Sequence, residues 1–384
     1  MKAKQFIKKY TMVLALIIVF IFFTALTGGR LVYAQNISNL LLQNAYVLIM
    51  ACGMLLCILT GGNVDLSVGS TLCLSGALAA KILDLGGSAG VAILASLALS
   101  AVIGIFQGWL IGYIHIPPFI CTLAGMFLYR GIARVILDSR TIAIMNNSYL
   151  NLFTSYISFP GEQSGNVVSA LIIGIIVAVC LTVAILVNRA RKASKGYKVA
   201  SMGATIAEVI IFDILIIAYA NRLQGYKGIP VMVIWILIVV LIFGFITSST
   251  VFGRYFYAVG GNEKATKLSG IDPRRVYFWA YFLMSVLAGF SGLLHSARIG
   301  SVDGNMGNSF EMDAIASCFI GGASAYGGSG TVPGIMVGAI LLGVINQGMS
   351  ILGLPDQYQY IVKGAVLLAA VVFDVVSNHK TGKS

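Results

Sequence analysis

The sequence contains little charge. Only 10% of its 384 residues are Asp, Glu, Lys or Arg, whereas 58% are hydrophobic. Soluble globular proteins carry about 25% charged residues, and this chain has too few to cover the surface of a soluble globule of its length. The scarcity excludes a soluble enzyme, a secreted disulfide-stabilised scaffold, a disordered protein and a free nucleic-acid-binding domain. A membrane protein with many spans is the class that remains.

The sequence also lacks the motifs of catalysis and cofactor binding. It contains no HExxH or EF-hand pattern, and its three histidines are scattered. The tail Gly382-Lys383-Ser384 imitates a phosphate-binding loop, but Ser377 stands where that loop requires a glycine. The six cysteines lie inside apolar stretches without a CxxC pair, which predicts small buried hydrophobic residues. We therefore expect no catalytic site, no metal and no cofactor bound by this chain.

Long apolar stretches predict an all-α fold, a polytopic membrane helical bundle with about 10–12 transmembrane segments, some of them interrupted or re-entrant. Pro117-Pro118 predicts a helix start, because proline is tolerated in the first helical turn. The stretch 311–326 is short and rich in glycine, which predicts a half-helix or a re-entrant segment. The twelve apolar stretches are 11–26, 39–60, 66–83, 88–112, 117–137, 166–187, 199–220, 230–247, 277–297, 311–326, 331–352 and 360–377.

Basic residues cluster at the N-terminus, in 188–198, in 248–276 and in the C-terminal tail. The positive-inside rule places these clusters in the cytoplasm, and an even number of apolar stretches separates each from the next. We therefore predict that both termini are cytoplasmic and that 138–165 and 298–310 lie outside. These clusters account for most of the basic excess behind the net charge of +12 without a nucleic-acid partner. The N-terminus imitates a signal peptide, but Arg30 interrupts that pattern, and we expect a retained first helix.

Two glycine-rich segments, 61–70 and 311–330, interrupt the apolar pattern. They are either tight interfacial turns or, as we favour, breaks in discontinuous helices that line a polar path. Polar side chains at the breaks and within the spans are candidates for that path, although lone Gln and Asn residues also join helices together. The candidate path residues, including one aromatic gate, are Asp65, Ser67, Ser70, Gln107, Phe119, Glu311, Asp313, Asn346 and Gln347.

Two repeats of small residues predict close helix packing instead of a site. Gly104, Gly108 and Gly112 recur every fourth residue in one apolar stretch, and Gly334 and Gly338 do so in a later one. Small residues at this spacing form a smooth helix face on which another backbone can approach.

The loop 248–276 predicts a short helix between two spans. Asn262 is a suitable N-cap, Glu263 places an acid in the first turn, and Gly270 is a suitable stop. Ala265 and Leu268 fall on one face of this helix. A single exposed helix has no core of its own, so it either docks onto a partner protein or lies on the membrane surface.

These features resemble one family, the permease subunits of bacterial monosaccharide ABC importers, which includes ribose, xylose and galactose permeases. The resemblance covers nearly the whole chain. The additional helical segment 166–220 resembles the xylose or multiple-monosaccharide branch, whereas Asn63 and the stretch 323–326 leave the sugar open. The matching stretches are Asp65 to Ser70, Pro118 to Met126, Gly253 to Ile271, Met312 to Ala316 with Ile320 to Gly322, and Tyr360 to Gly364.

The resemblance implies a single transmembrane permease domain over 1–384, with 248–276 as its cytoplasmic coupling loop, in the bacterial cytoplasmic membrane. It also implies a second permease copy, identical or different, a periplasmic or lipid-anchored sugar-binding protein, and a separate cytoplasmic ATPase that uses ATP. Arg298 and Asp303 in the outer loop are candidates for contact with the binding protein. The residues that match the coupling element are Gly260, Gly261, Asn262, Glu263, Ala265, Leu268, Ser269 and Gly270.

Other functions remain open at this point. A related ABC permease for branched-chain amino acids or nucleosides shares the general architecture. An ATP-independent sugar facilitator, or a membrane scaffold without transport, would lack the ATPase partner. An enzyme is least expected, because no constellation of nucleophile, base and metal is present.

Overall fold

The computed structural model describes residues 2–197, 199 and 201–380. Gly382-Lys383-Ser384, whose imitation of a phosphate-binding loop is rejected above, lie outside them. The described chain is mainly helical, as predicted. The helices are α1 Lys2–Leu26, α2 Ala34–Leu59, α3 Val68–Asp84, α4 Ala89–Gly112, α5 Pro118–Ile136, α6 Asn147–Thr154, α7 Val168–Ser194, α8 Met202–Gln224, α9 Val231–Ser249, α10 Val251–Gly261, α11 Glu263–Leu268, α12 Pro273–Ile299, α13 Phe310–Ile320, α14 Val332–Ile351 and α15 Asp356–Lys380. Four two-residue strands are β1 Ile142–Ala143, β2 Tyr156–Ile157, β3 Ile229–Pro230 and β4 Ser301–Val302.

Eight of the described helices are long and apolar enough to cross a membrane, namely α2, α4, α5, α7, α8, α9, α12 and α14. Shorter apolar segments occupy Met12–Leu26 in α1 and Gln357–Val372 in α15. The predicted short segment 311–326 is α13, an 11-residue helix that ends at Ile320 before a non-helical stretch. The short helix expected here is therefore present, and its half-helix or re-entrant passage through the membrane stays a prediction.

Helix α2 forms the centre of the bundle. From Ala45 to Leu59 every residue is buried, as expected of a helix that is hydrophobic on all sides. It packs against α12, α14, α13 and α9, so these four helices surround it. The α7–α8 hairpin, which corresponds to the segment 166–220, packs outside this core with Gly174 against Ala220.

The glycine repeats do form helix contacts. A Cβ atom on Gly104 or Gly108 of α4 would lie within 3.0 Å of the α12 backbone, at Phe282 and Phe278 respectively. Gly338 of α14 lies in the same way against the backbone of Ser317 in α13. Close backbone approach holds these helix pairs together, and larger residues would force them apart.

The cysteine prediction is correct for five of the six residues. Cys52, Cys57, Cys73, Cys121 and Cys318 are buried. The prediction is wrong for the remaining cysteine, in α7, which is exposed because it lies on the face of that helix directed away from the bundle.

The connecting loops gather at two ends of the bundle, separated by α12, whose 27 residues span about 40 Å. At one end, the α4–α5 turn, Asn63 and the segment 263–277 line a common cavity. At the other end β1 pairs with β4, which joins the loop after α5 to the loop after α12. The loop 248–276, predicted to be cytoplasmic, and the loops 138–165 and 298–310, predicted to be outside, thus lie at different ends.

Candidate functional site

The first helix break is held by a buried chain of hydrogen bonds. Asp65 Oδ1 accepts from the Ser67 backbone N–H at 2.8 Å and from the Ser67 hydroxyl at 2.6 Å. Ser67 Oγ in turn accepts from Gln107 Nε2 in α4 at 2.9 Å, and Gln107 Oε1 accepts from Ser285 Oγ in α12 at 3.2 Å. Three predicted path residues, Asp65, Ser67 and Gln107, therefore form one network that ties the break to α4 and α12.

Replacing Gln107 by leucine should separate this network into two parts. Ser285 and Ser67, both buried, would each lose their bond to the amide, and we expect a loss of stability of about 1–2 kcal/mol. Thermal unfolding of the purified protein in detergent measures the effect. A Ser285→Ala variant, which removes only one of the two bonds, should lose less; an equal or larger loss would contradict this account of the network.

The second acidic site is an ion pair near the start of α13. Asp313 is 1% exposed, and its Oδ2 accepts from Lys363 Nζ of α15 at 3.0 Å and from the Tyr46 hydroxyl of α2 at 2.8 Å. The Tyr46 ring stacks on Phe310 with centroids 3.7 Å apart, and His295 packs edge-on against both. Asp313 thus fastens α13 to α2 and α15.

The remaining path candidates make no hydrogen bond to these two groups among the described residues. Gln347 Nε2 donates to the Asn36 carbonyl at 2.6 Å and so joins α14 to the start of α2. Asn346 is half-buried beside it, and Phe119 is 58% exposed on α5. Ser70 is buried, and its hydroxyl has no hydrogen-bond partner among the described residues. Hydrogen bonds therefore do not join all nine candidates into one network, and their role in a path stays a prediction.

Glu311 lies beside an arginine of α5. Its side chain is 8% exposed and lines a small cavity together with Arg130. Arg130 donates to the Met306 carbonyl at 2.6 Å and to the Gly304 and Gly307 carbonyls at 3.4 Å. The guanidinium therefore fixes the loop that precedes α13.

The two glycine-rich breaks touch each other. The Gly328 N–H donates to the Leu59 carbonyl, the last residue of α2, at 3.0 Å. Gly62 has a φ of +76° and packs directly against the Ala325 carbonyl. A Cβ atom on residue 62 would overlap that carbonyl oxygen. Only glycine satisfies both the positive φ and the close approach at this position. The sequence indicated two separate breaks, and the structure makes them one junction.

Helix α10 packs on this junction. A Cβ atom on Gly260 would overlap the Leu59 carbonyl and lie 2.5 Å from the Gly328 nitrogen. The Tyr257 hydroxyl, one turn earlier, donates to the Gly330 carbonyl at 2.9 Å. The end of α10 is therefore in contact with both breaks through backbone atoms.

Helix α11 begins and ends as the sequence predicted. Asn262 Oδ1 accepts from the Ala265 N–H at 2.9 Å, which is an N-cap, and Gly270 adopts a φ of +85° after the last turn. Ser269, the C-cap, donates its hydroxyl hydrogen bond to the Ala265 carbonyl at 2.9 Å. Gly261, the last residue of α10, is exposed, and a Cβ atom on it would meet no atom within 4 Å.

The outward face of α11 is uncovered. Leu268 is 90% exposed and Ala265 is exposed beside it, whereas Thr266 on the inner face is buried and bonds to the Ala258 carbonyl at 2.8 Å. Glu263 Oε2 accepts from the Tyr277 hydroxyl of α12 at 3.0 Å. An uncovered leucine on a helix anchored from behind is a suitable surface for a partner protein.

A polar cavity of about 370 Å³ separates α11 from the α4–α5 turn. Asn63 of the first break lines it, as do Glu263 and Lys267 of α11 and Asp272 at the start of α12. Hydrogen bonds from Arg274 hold the pKa of Asp272 below its ordinary value, even though partial burial opposes the shift.

The two outer-loop candidates differ in position. Arg298 is half-buried in the last turn of α12, one turn beyond His295. Asp303 is half-buried in the following loop, accepts from the Asn305 N–H at 3.1 Å and lines an outer cavity.

The sequence interpretation missed the cations inside the spans. Arg130 and Arg134 lie one turn apart in the apolar stretch 117–137, and Lys363 lies in 360–377. Ionisable residues in spans usually face the protein interior, a rule that the sequence interpretation applied only to acids. Applied to cations as well, it would have indicated all three.

Comparison with known proteins decides the family. The profile of the family described as "Branched-chain amino acid transport system / permease component" matches residues 36–371, most of the chain. The chain belongs to this permease family. Its membership and its eight apolar helices make it a multi-pass protein of the cytoplasmic membrane.

Curated members of the family match the chain over nearly its full length. The xylose transport system permease protein XylH of Haemophilus influenzae is 34% identical, with 97% of each chain covered. The ribose import permease protein RbsC of Escherichia coli K12 is also 34% identical, over 88% of this permease and 85% of RbsC. RbsC of Bacillus subtilis is 31% identical over 88% and 84%. No solved structure matches the chain.

Proposed function

We propose that this permease is the membrane subunit of an ATP-driven importer that moves a monosaccharide of the xylose class into the cytoplasm. The observation that carries the proposal is the similarity to a xylose permease over 97% of both chains. The ribose permeases match a smaller share of the chain, which favours the xylose branch. A separate ATPase consumes the ATP, and this chain itself has no catalytic role.

The proposed orientation places α10 and α11 in the cytoplasm, together with both termini. It follows from the basic residues of 188–198 and 248–276 and from the positive-inside rule. The outer loops, with Arg298 and Asp303, then face a sugar-binding protein, and a second permease copy completes the pore.

The coupling surface in this proposal is the outward face of α11. The ATPase docks on Leu268 and Ala265, and its closure on ATP moves α10 and α11 together, because the Asn262 cap and Thr266 join them. Gly260 transmits the movement to the two helix breaks, which it contacts directly. The path thereby opens outward, and hydrolysis returns it inward. Only contacts that differ between the two states can shift such an equilibrium.

The test is a stimulation screen on the complex purified with its cognate ATPase and binding protein. We expect D-xylose to raise ATP hydrolysis more than hexoses do, and leucine and uridine to have no effect. Stimulation by leucine or uridine in place of a sugar would support a permease for amino acids or nucleosides. Failure of every solute to stimulate would contradict an ATP-coupled importer.

Replacing Leu268 by aspartate should detach the ATPase. The side chain is 90% exposed, so the change leaves the fold of this chain intact while it places a charge in the proposed interface. We expect at least about a tenfold loss of ATPase binding, equivalent to about 1.4 kcal/mol. Leu85, 76% exposed after α3 at the other end, provides the matched control, and Leu85→Asp should bind normally. Equal binding by both variants would contradict docking at α11.

A further inference from the structure

Two neighbouring cavities lie between α5 and the loop that precedes α13. The outer cavity has a volume of about 410 Å³ and is lined by Arg134, Ser139, Arg140, Thr141, Asp303, Gly304 and Asn305. The inner cavity has a volume of about 180 Å³ and is lined by Met126, Phe127, Arg130, Arg134, Asn305, Asn308 and Glu311. Arg134 and Asn305 line both cavities, and Arg134 Nη2 donates to Asn305 Oδ1 at 3.1 Å. The hydrogen-bonded pair therefore lies where the two cavities adjoin.

We propose that the inner cavity is a subsite for one neutral monosaccharide, which enters from the outer cavity past the Arg134–Asn305 pair. The inference rests on the proposed function as a sugar permease and names the place at which this chain holds the sugar. Neither Phe127 nor Asn308 was a candidate from the sequence.

The volume of the inner cavity favours a small solute. Pockets for drug-sized ligands occupy about 300–1,000 Å³, and the inner cavity at about 180 Å³ is smaller than that range. A single sugar ring is of the appropriate size, whereas an oligosaccharide is too large. The outer cavity is larger and lined by polar residues, as suits an entrance for a hydrated solute.

The lining offers one apolar wall and several polar groups. The Phe127 ring is 69% exposed, and with Met126 it presents an apolar surface to the C–H face of a sugar. Asn308 is exposed, and its side-chain amide makes no hydrogen bond within the described residues. It therefore has two donors and an acceptor available for hydroxyl groups. Glu311 supplies carboxylate acceptors on the same cavity.

Two charged side chains of the inner cavity, Arg130 and Glu311, already contact other parts of the protein. Arg130 donates to three backbone carbonyls, of which Met306 O is the nearest at 2.6 Å, so it positions the loop that carries Asn305 and Asn308. The Glu311 carboxylate lies against Gly69 of α3, where a Cβ atom would come within 2.6 Å of Oε2. Arg134 uses one Nη2 donor on Asn305 Oδ1, and the cavity holds two guanidinium groups against one carboxylate. The neutral character of the solute therefore rests on the proposed function and not on the charges of the lining.

The test compares D-xylose uptake by vesicles that contain the complete importer with Phe127→Ala or Asn308→Ala. Each variant should raise the KM for D-xylose about tenfold, since each loses a contact comparable to one net hydrogen bond or more. The maximal rate and the affinity for the binding protein should stay unchanged. The matched controls are Leu128→Ala, the exposed neighbour on α5, and Asn151→Ala, exposed on α6; both lie outside the cavity and should behave as wild type.

The possible results separate this inference from the function on which it rests. If the wild-type importer takes up D-xylose and both cavity variants have the wild-type KM, the subsite is overturned and the proposed function stands. No uptake of any sugar by the wild type overturns the proposed function itself. If the wild-type importer takes up D-xylonate in preference to D-xylose, the assignment to a neutral sugar is overturned.

Discussion

Replacing Gly260 by alanine is expected to abolish transport while the neighbouring Gly261→Ala variant transports normally. The new methyl group at position 260 would overlap the Leu59 carbonyl and crowd the Gly328 nitrogen, both of which are backbone atoms that cannot rotate away. Helix α10 must therefore shift from the junction, and overpacking of this kind costs about 1–3 kcal/mol. At position 261 the same methyl group meets no atom within 4 Å.

The measurement is ATP-dependent D-xylose uptake and ATP hydrolysis in the same vesicles. We expect Gly260→Ala to retain the ATPase subunit, because α11 and Leu268 are unchanged, but to lose at least about 90% of the uptake per ATP hydrolysed, a tenfold effect equivalent to about 1.4 kcal/mol. Equal coupling in the two alanine variants would show that the contact of α10 with the breaks is not part of the mechanism. Gel filtration of the complex separates loss of coupling from loss of assembly.

Replacing Lys363 by methionine is expected to give the largest loss of stability among single changes at the described polar sites. Asp313 would remain as a buried carboxylate with the Tyr46 hydroxyl as its one remaining side-chain partner among the described residues. Breaking a buried ion pair by removing one partner costs about 3–5 kcal/mol. Because the Lys363 side chain is 21% exposed, we expect the lower end, about 3 kcal/mol.

The double variant Lys363→Met with Asp313→Asn provides the control for this prediction. It removes both charges, and the asparagine oxygen can still accept from Tyr46, so the apparent melting temperature in detergent should recover most of the loss. A double variant as unstable as Lys363→Met alone would mean that the ion pair is not what fastens α13 to α15.

Local features of the fold could be predicted because neighbouring residues determine them. Pro118 starts α5, Asn262 caps α11 and Gly270 ends it, all from the chemistry of single residues. The short helix α13 followed from the glycines that come after it. The glycine spacing likewise predicted a close-packing face on α4, although not that α12 is the helix packed against it. In each case the cause lies within a few residues of the effect.

The assembly of the site could not be predicted in the same way, because it depends on contacts between distant parts of the chain. Gly62, Gly260 and Gly328 each indicate a local bend or helix end, and nothing in their surrounding sequence indicates that they meet at one junction. The Asp313–Lys363 pair joins residues 50 positions apart. Arg130 was missed for another reason. Its apolar neighbours identified the stretch 117–137 as a span, and the charged residue within that span was not considered.

The central claim is that this permease imports a monosaccharide by docking an ATPase on α11 and passing its movement through Gly260 to the helix breaks. The most direct test is D-xylose accumulation by vesicles that contain the permease, its ATPase and its binding protein. We predict accumulation against a gradient only when all three proteins and ATP are present, and its loss in Gly260→Ala but not in Gly261→Ala. Equilibration of D-xylose by the permease alone, without ATP, would contradict the account and identify a facilitator.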